Sequence, residues 1–297
     1  MEKVIYNLVF NRKKLLNSEG KALIQVEAYL NKQKKYFSTL QVLSSYQAEV
    51  SFNDLSYNFL CDFEHYLLEN KYHRNTIAKH MKHLKRYINL AINKDLFDLH
   101  RYPFRKYKIK YMESKRSHLT PEELGQLESL NLKGRRTLQR TLDMFLFSCY
   151  TGLRFSDIVS ITRDNFLCID DKIWLIYSSV KTDVNVRLPL FLLFDGKALP
   201  IYDRYKNSPW TLFDMPASSN SNVNKQIRRL CKMANIDKKV SFHTARHTNA
   251  TLLLYNGANI TTVQKLLGHK SVRTTEIYSN IMDMTVVRDL SSLTGLK

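Results

Sequence analysis

The chain has 297 residues, 44% hydrophobic and 25% charged, which is the composition of a folded globular protein and allows two domains, with room for a small third. Lys and Arg number 46 against 27 Asp and Glu, a formal charge of +19 and a pI near 9.7. Such an excess predicts a polyanionic partner, nucleic acid first and an anionic membrane surface second. With 8 Gly and 6 Pro the chain has well under half the usual content of helix-breaking residues and should be mainly helical. No stretch reads G-x-x-x-x-G-K-[ST] or G-x-G-x-x-G, so neither common phosphate-cradling loop is available for ATP or a dinucleotide. Cys61, Cys149, Cys168 and Cys231 lie far apart, which argues against a zinc ribbon or a disulfide framework and for reduced thiols in the cytoplasm. No long apolar run follows Met1, and Leu142–Tyr150 is too short to span a bilayer, so neither a signal peptide nor a membrane segment is expected.

Residues 1–50 read as strands. Val4, Tyr6, Leu8 and Phe10 alternate with polar residues, as do Ala22, Ile24, Val26, Ala28 and Leu30, the second run continuing to Tyr36 and Phe37. A turn at Asn17–Gly20 separates them, and Arg12, Lys13, Lys14, Lys32, Lys34 and Lys35 give the sheet basic edges. A three-stranded sheet is marginal alone and needs a helix or DNA against one face.

Residues 51–116 read as helical. Asn53 is placed to cap a helix whose stripe is Leu55, Phe59, Phe63, Tyr66 and Leu67. A second helix is predicted over 75–93, with Ile77, Met81, Leu84, Ile88 and Ile92 inward and Lys79, Lys82, Lys85 and Arg86 on its other faces. The segment carries 14 basic and 7 acidic residues. It ends in Arg101, Arg105, Lys106, Lys108, Lys110, Lys115 and Arg116 interleaved with Tyr102, Tyr107 and Tyr111, a pattern that suits a linker lying along a phosphate backbone.

A new domain starts at Thr120-Pro-Glu-Glu123, a capping box with proline at the first helical position. A helix is predicted over 137–150, ending near Gly152, and Ser156 is placed to cap a short one after it. Lys172–Ser178 and Val186–Leu190 predict a hairpin around Lys181. Helices are expected over 222–235, 243–255, 261–267 and 271–279, with stops at Asn256-Gly257 and Gly268. The tail from Thr285 is weakly amphipathic.

Single residues in this half carry little alone. His243 and His247 at a spacing of four suggest a metal pair, but a zincin needs Glu after the first His and Thr244 stands there, so no metal site is expected. The ordered set is more telling: Thr151-Gly-Leu-Arg154-Phe-Ser-Asp157, then Lys181, then His243-Thr-Ala-Arg246-His247, then Leu266-Leu-Gly-His269, with Tyr278 nine residues further on. In order and local wording it resembles the tyrosine recombinases, the phage-integrase family. The resemblance covers about 117–290. Residues 51–116 look like that family's helical core-DNA-binding (SAM-like) domain. The sheet at 1–50 is similar, more loosely, to the arm-binding domain of integrases from conjugative and mobilisable elements.

The resemblance implies three domains, 1–50, 51–116 and 117–297: a mainly α chain with small β-sheets, its two basic lobes able to close on duplex DNA. It implies a site-specific recombinase or integrase that cuts and rejoins DNA through a 3′-phosphotyrosine, with no cofactor, ATP or metal. Tyr278 would attack phosphorus, Arg154 and Arg246 would grip the non-bridging oxygens, and Lys181 on a mobile hairpin would protonate the leaving 5′-oxygen. His243 would position or deprotonate the Tyr hydroxyl, and His269 would donate to the phosphate. Asp157 either orients the arginines or is simply an acid at a helix start. Side chains of 74–93 and of 222–235 (Lys225, Arg228, Arg229, Lys232) would meet DNA, and the 24 basic against 16 acidic residues of 117–297 favour phosphate contacts. The tail packs in cis or docks on a neighbouring protomer of a tetramer on DNA. Expected partners are double-stranded recombination sites and a DNA-bending or excision accessory protein, with no membrane, in a nucleoid-associated cytoplasmic setting. Only Gln41–Ser51 separates the sheet from the helical segment, so residues 1–50 bind separate arm sites or lie against the same DNA. A non-catalytic regulator derived from a recombinase and a metal-dependent nuclease are the alternatives.

Overall fold

The computed structural model describes residues 5–10, 24–30, 33–35, 38–112, 117–214, 219–281 and 290. The expected turn at Asn17–Gly20, the pair Tyr36-Phe37, the basic pair Lys115-Arg116 and the tail from Thr285, Leu290 apart, lie outside the described residues. Two compact units divide the chain, Met1–Ser114 and Lys115–Lys297.

In the first unit β1 (Ile5–Phe10), β2 (Ile24–Leu30) and β3 (Gln33–Lys35) form an antiparallel sheet in the order β1-β2-β3, with Ile5 opposite Tyr29 and Ala28 opposite Lys35. A helix that the strand reading of 1–50 did not foresee follows at once, α1 (Ser38–Tyr46). It docks on the helices after it: buried Thr39 bonds His83 Nδ1 at 2.7 Å and His80 Nδ1 at 3.0 Å, and Tyr46 packs on Phe59, Phe63 and Tyr66.

α2 (Tyr57–Glu69) is capped by Ser56, whose Oγ accepts from Phe59 N, and not by Asn53, which instead accepts from Arg101. Phe59, Leu60, Phe63 and Leu67 form its buried stripe. α3 (Arg74–Ile92) matches its predicted span and buries Ile77, Met81, Leu84 and Ile88. Lys79, Lys82 and Arg86 are exposed on its far side. The stretch read as a linker is built into this unit as far as Met112. Phe104 and Tyr107 are core residues, the Tyr107 hydroxyl donates to Glu64, and Asn75 exchanges two hydrogen bonds with the Met112 backbone. Phe104 and Tyr107 turn inward because each buries a large apolar ring, while Tyr111 is exposed. Arg105, Lys106 and Lys108 between them stay in water.

The second unit opens with α4 (Pro121–Glu128), whose capping box forms as read: Thr120 Oγ1 accepts from Glu123 N and Glu123 Oε2 accepts from Thr120 N. α5 (Arg136–Thr151) is the axis of this unit, buried at every position from Thr141 to Thr151 and packed against the later helices α8 (Asn220–Met233) and α9 (Phe242–Tyr255). Its one buried carboxylate, Asp143, accepts from Gln139, Arg204 and Tyr205, the last two on α7 (Leu199–Tyr205), a helix absent from the sequence reading. Between α5 and α7 come α6 (Phe155–Ile158) and a second antiparallel sheet, β4 (Phe166–Ile169), β5 (Lys172–Ser178) and β6 (Asn185–Pro189). β5–β6 is the expected hairpin, while β4 is an unforeseen third strand. Ser156 lies inside α6, which begins after Arg154. After α10 (Ile260–Leu267) the expected helix over 271–279 is two 3-10 turns, Val272–Thr274 and Glu276–Ile281.

Two glycines end helices as read. Gly152 after α5 has φ +73° and Gly268 after α10 has φ +61°, the left-handed region that glycine enters without a Cβ clash. A Cβ on Gly152 would meet Leu267 Cδ2 at 2.6 Å and Asn249 Oδ1 at 2.8 Å. Gly152→Ala should therefore cost about 3 kcal/mol from the left-handed backbone and the overpacking together. Denaturant unfolding checks this, and a loss below about 1 kcal/mol would show that α10 can retreat. Thr120→Ala, which opens the capping box, should cost about 1 kcal/mol in the same measurement.

Candidate active site

α9 is the unusual element. Its sequence, FHTARHTNATLLLY, is not amphipathic, yet Thr244 to Leu252 are all buried. Buried polar groups must find partners, and most do so within the unit. Thr248 Oγ1 accepts from Leu119 N, and Asn249 Nδ2 donates to Cys149 O at the end of α5. Arg246, 1% exposed, donates from Nη1 to Gly152 O at 2.7 Å and from Nη2 to Leu267 O. Both acceptors are carbonyls at helix C-termini, which lack intrahelical partners and carry partial negative charge. Among the described residues no carboxylate accepts a hydrogen bond from Arg246. Burial first, and the charge of Arg154 second, push its guanidinium down to about 10, which leaves it protonated at neutral pH.

Arg154 reaches the same region from the start of α6. Its Nη1 donates to Ser179 Oγ at 2.8 Å and stands 3.6 Å from Asp157 Oδ2. Asp157 is fully buried and accepts from Val180 N at 2.9 Å and from Ser179 Oγ at 3.3 Å. A fully buried carboxylate that binds the hairpin as well as Arg154 is more than an acid at a helix start.

Lys181 sits exposed in the turn between β5 and β6. The residues beside it are tied down: Val180 N to Asp157, and Thr182 Oγ1 to Gly268 O at 3.3 Å. The turn is thus hydrogen-bonded on both sides of Lys181. Ser179, which the sequence reading passed over, is the link from this turn to both Arg154 and Asp157. Tyr177, two residues earlier on β5, is also new. Its hydroxyl is buried without a hydrogen-bond partner, near enough to Arg154, Arg246 and Asp157 to feel their charges, and burial holds its pKa well above the usual phenol range.

The two remaining motifs meet at Tyr278. This phenol is 5% exposed, in a small cluster with Ala250, Leu254, Val263 and Leu267. Its hydroxyl lies 2.9 Å from His247 Nδ1. His243, expected beside that hydroxyl, is exposed, with its ring edge-on to His247 at 4.5 Å between centroids. His269 stands just past Gly268, with Nδ1 2.9 Å from Thr275 Oγ1. Arg154, Asp157, Arg246 and Tyr278 thereby lie near one another through α6, α9 and the 3-10 turn, although they span 154–278 in the sequence, and Lys181 sits in the turn that Asp157 holds through Val180. Of the proposed DNA-contacting residues, Lys225, Arg228 and Arg229 are exposed on α8, and Lys85 in the first unit reaches over the Phe104 ring at 5.9 Å. Among the described residues no three His, Cys, Asp or Glu side chains gather as a metal site, and no helix is long and apolar enough to cross a membrane.

Known proteins are similar to this chain in sequence and fold. Residues 118–284 match the phage integrase family and residues 13–109 the phage integrase SAM-like domain. A tyrosine recombinase of Thermosipho africanus is 31% identical over 170 residues, 56% of this chain and 57% of that protein. The tyrosine recombinase XerC of Anoxybacillus flavithermus is 27% identical over 249 residues, 78% of each. The match thus spans little more than half the length of the first of these relatives. Among solved structures, a lambda integrase dimer bound to a COC′ core site superposes with a TM-score of 0.68 at 18% identity, covering 81% of this chain and 85% of that one. The XerH recombinase in a post-cleavage complex with its difH substrate gives 0.63 at 18% identity, covering 86% and 77%. With more than half of its length matched to one family model, the chain belongs to the phage integrase family, the tyrosine recombinases.

Proposed function

We propose that the protein is a site-specific DNA recombinase that breaks and rejoins strands through a 3′-phosphotyrosine. The observation that carries this reading is Arg246: a buried guanidinium with only two carbonyls as partners, beside a second guanidinium that pushes its pKa down. Two adjacent cations with one shared carboxylate form a site short of negative charge, and a phosphodiester supplies it. Arg suits the task because its planar fork binds phosphate oxygens bidentately.

Strand cleavage then balances as follows. The Tyr278 oxygen attacks phosphorus and loses its proton to a histidine of α9. The bond from phosphorus to the 5′-oxygen breaks, and Lys181 gives that oxygen a proton. Arg154 and Arg246 hold the non-bridging oxygens as charge builds on them, and His269 donates a further hydrogen bond. Asp157 and Ser179 hold Arg154 and the Lys181 turn in register. Such transfer is mostly positioning and electrostatics. The phosphotyrosine keeps the ester bond, so a 5′-hydroxyl can reverse the step.

The exposed lysines and arginines of α3 and α8 are assigned to DNA phosphates, with residues 1–50 as an arm-binding-like element, 51–116 as the core-binding domain and 117–297 as the catalytic domain. The working form is a tetramer on recombination sites in the cytoplasm, at the nucleoid, with a bending or excision factor as accessory partner.

The test is a library of nicked random duplexes incubated with the protein in EDTA. Covalent protein–DNA adducts should form on a narrow set of sequences and vanish in Tyr278→Phe. Binding without adduct would point to the regulator, and cleavage only with Mg²⁺ to the nuclease. On a captured sequence, Lys181→Ala should slow cleavage by about 10²-fold or more, and a 5′-bridging sulfur, which leaves without a proton, should restore it. Absence of rescue would remove Lys181 as the acid.

A further inference from the structure

Tyr177 carries a buried hydroxyl that strand cleavage by the motif residues leaves unused. Along β5 the side chains alternate, with Leu175 and Tyr177 turned inward and Ser178 exposed. Ser179, 1% exposed, continues the inward row beyond the strand and touches Arg154 and Asp157. Across the ladder Tyr177 is opposite Val186, whose Cγ2 lies 2.7 Å from where a Cβ on Gly268 would stand. That is the end of α10, where Leu267 O accepts from Arg246. Tyr177 thus sits between the residue that holds Arg154 and the helix end that holds Arg246. No group among the described residues bonds its hydroxyl. Leaving a buried hydroxyl unpaired costs stability, and phenylalanine would fill the same space without that cost.

We propose that Tyr177 is a further catalytic residue, its hydroxyl donating a hydrogen bond to a non-bridging oxygen of the phosphodiester held by Arg154 and Arg246. The assignment rests on the recombinase reading above. The buried carboxylate of the site is already engaged: Asp157 accepts from Val180 N and Ser179 Oγ and faces Arg154. The two guanidiniums are donors only and give the phenol no acceptor. A substrate oxygen supplies one, and its negative charge makes the bond a strong one. The phenol acts as a donor throughout. Burial first, and the charge of Asp157 second, hold its pKa well above the usual phenol range, so it neither takes up a proton nor competes with Tyr278 as a nucleophile. No covalent bond forms or breaks at Tyr177. As the Tyr278 oxygen attacks phosphorus, charge gathers on the non-bridging oxygens, and a neutral donor held by a strand meets that charge without reorganising. The cost of the unpaired hydroxyl in the free protein is recovered when the phosphate is seated.

The experiment uses the full chain and a nicked duplex captured as above, under single-turnover conditions at saturating DNA. Tyr177→Phe removes the hydroxyl alone. In denaturant it should be as stable as the native protein or more so. Its DNA affinity should stay within about threefold, since one phosphate contact among many is lost. Adduct formation should slow by about 10-fold to 10²-fold. The decisive substrates are the two phosphorothioate diastereomers, in which sulfur, a poor acceptor, replaces one or the other non-bridging oxygen at the scissile position. The ratio of native to Tyr177→Phe rates should fall below about threefold on the diastereomer that replaces the oxygen bonded by Tyr177, and should persist on the other. A Tyr177→Phe rate within about threefold of native on the all-oxygen duplex would overturn the assignment. An equal loss on both diastereomers would overturn it too, because it marks a structural role. So would a destabilised or unfolded Tyr177→Phe, which would show that the hydroxyl is already paired within the protein. A native protein that forms no adduct on any duplex fails at the earlier step and overturns the recombinase reading itself.

Discussion

The second unit is organised around one buried cation. Arg246 is the largest fully buried side chain among the described residues, and an unpaired buried charge costs several kcal/mol. Its partners are the carbonyls that α5 and α10 leave unpaired at their C-termini, Gly152 O and Leu267 O. Each helix is stopped there, or one residue later, by a left-handed glycine, and each glycine has a neighbour where its Cβ would be: Leu267 and Asn249 against Gly152, Val186 against Gly268. Two helix ends can approach one guanidinium this closely only if the residues at their stops carry no side chain. The recurrence of glycine in Thr151-Gly-Leu-Arg154 and in Leu267-Gly-His269 therefore has a steric cause.

The same junction sets the reactive groups around it. Stopping α5 at Gly152 delivers Arg154 two residues later, and stopping α10 at Gly268 delivers His269 at once. The Gly268 carbonyl holds Thr182, so the end of α10 also fixes the turn that bears Lys181. Asp157 holds that turn from the other side through Val180 and Ser179. Tyr278 follows on a 3-10 turn whose phenol falls beside α9, one turn along from Arg246. A cation held by neutral carbonyls keeps most of its charge available to a third party. In the proposed function that charge would serve a phosphate.

Much of this was legible in the sequence, for identifiable reasons. The capping box at Thr120, the stripe of α3 and the stops at Gly152 and Gly268 are local signals, and local physics produced them in the structure. Phe59, Phe63 and Leu67 of α2 were read as core, although Leu60 was missed, Tyr66 is only half-buried and the cap moved from Asn53 to Ser56, because burial periodicity survives an error in the boundary. The tyrosines of 102–111 misled because their alternation with Lys and Arg resembles a solvated linker, and only tertiary packing shows Tyr107 closing on Glu64. α7 and β4 escaped because each is short and lacks a strong period, and both are held by long-range contacts such as Arg204 and Tyr205 with Asp143. Within the site, the motif residues, His247 among them, were found by their wording, but Ser179 and Tyr177 were not, and no role on Tyr278 was read for His247. Their roles depend on the hairpin folding back onto α6 and on which of two histidines faces inward. A polar helix without an amphipathic stripe was the one signal that could have flagged them, since its side chains must be satisfied inside.

In the proposed reaction Arg246 and Arg154 hold one phosphorus while Tyr278 attacks it. The most direct measurement is a crystal structure of the protein on a nicked captured duplex with vanadate closing the nick. The account predicts vanadium bonded to the Tyr278 oxygen, both guanidiniums on its equatorial oxygens, and the Gly152 and Leu267 carbonyls still on Arg246. Vanadate bound away from Arg246, or Arg246 unchanged in its carbonyl seat with no oxygen of the nick within reach, would contradict it.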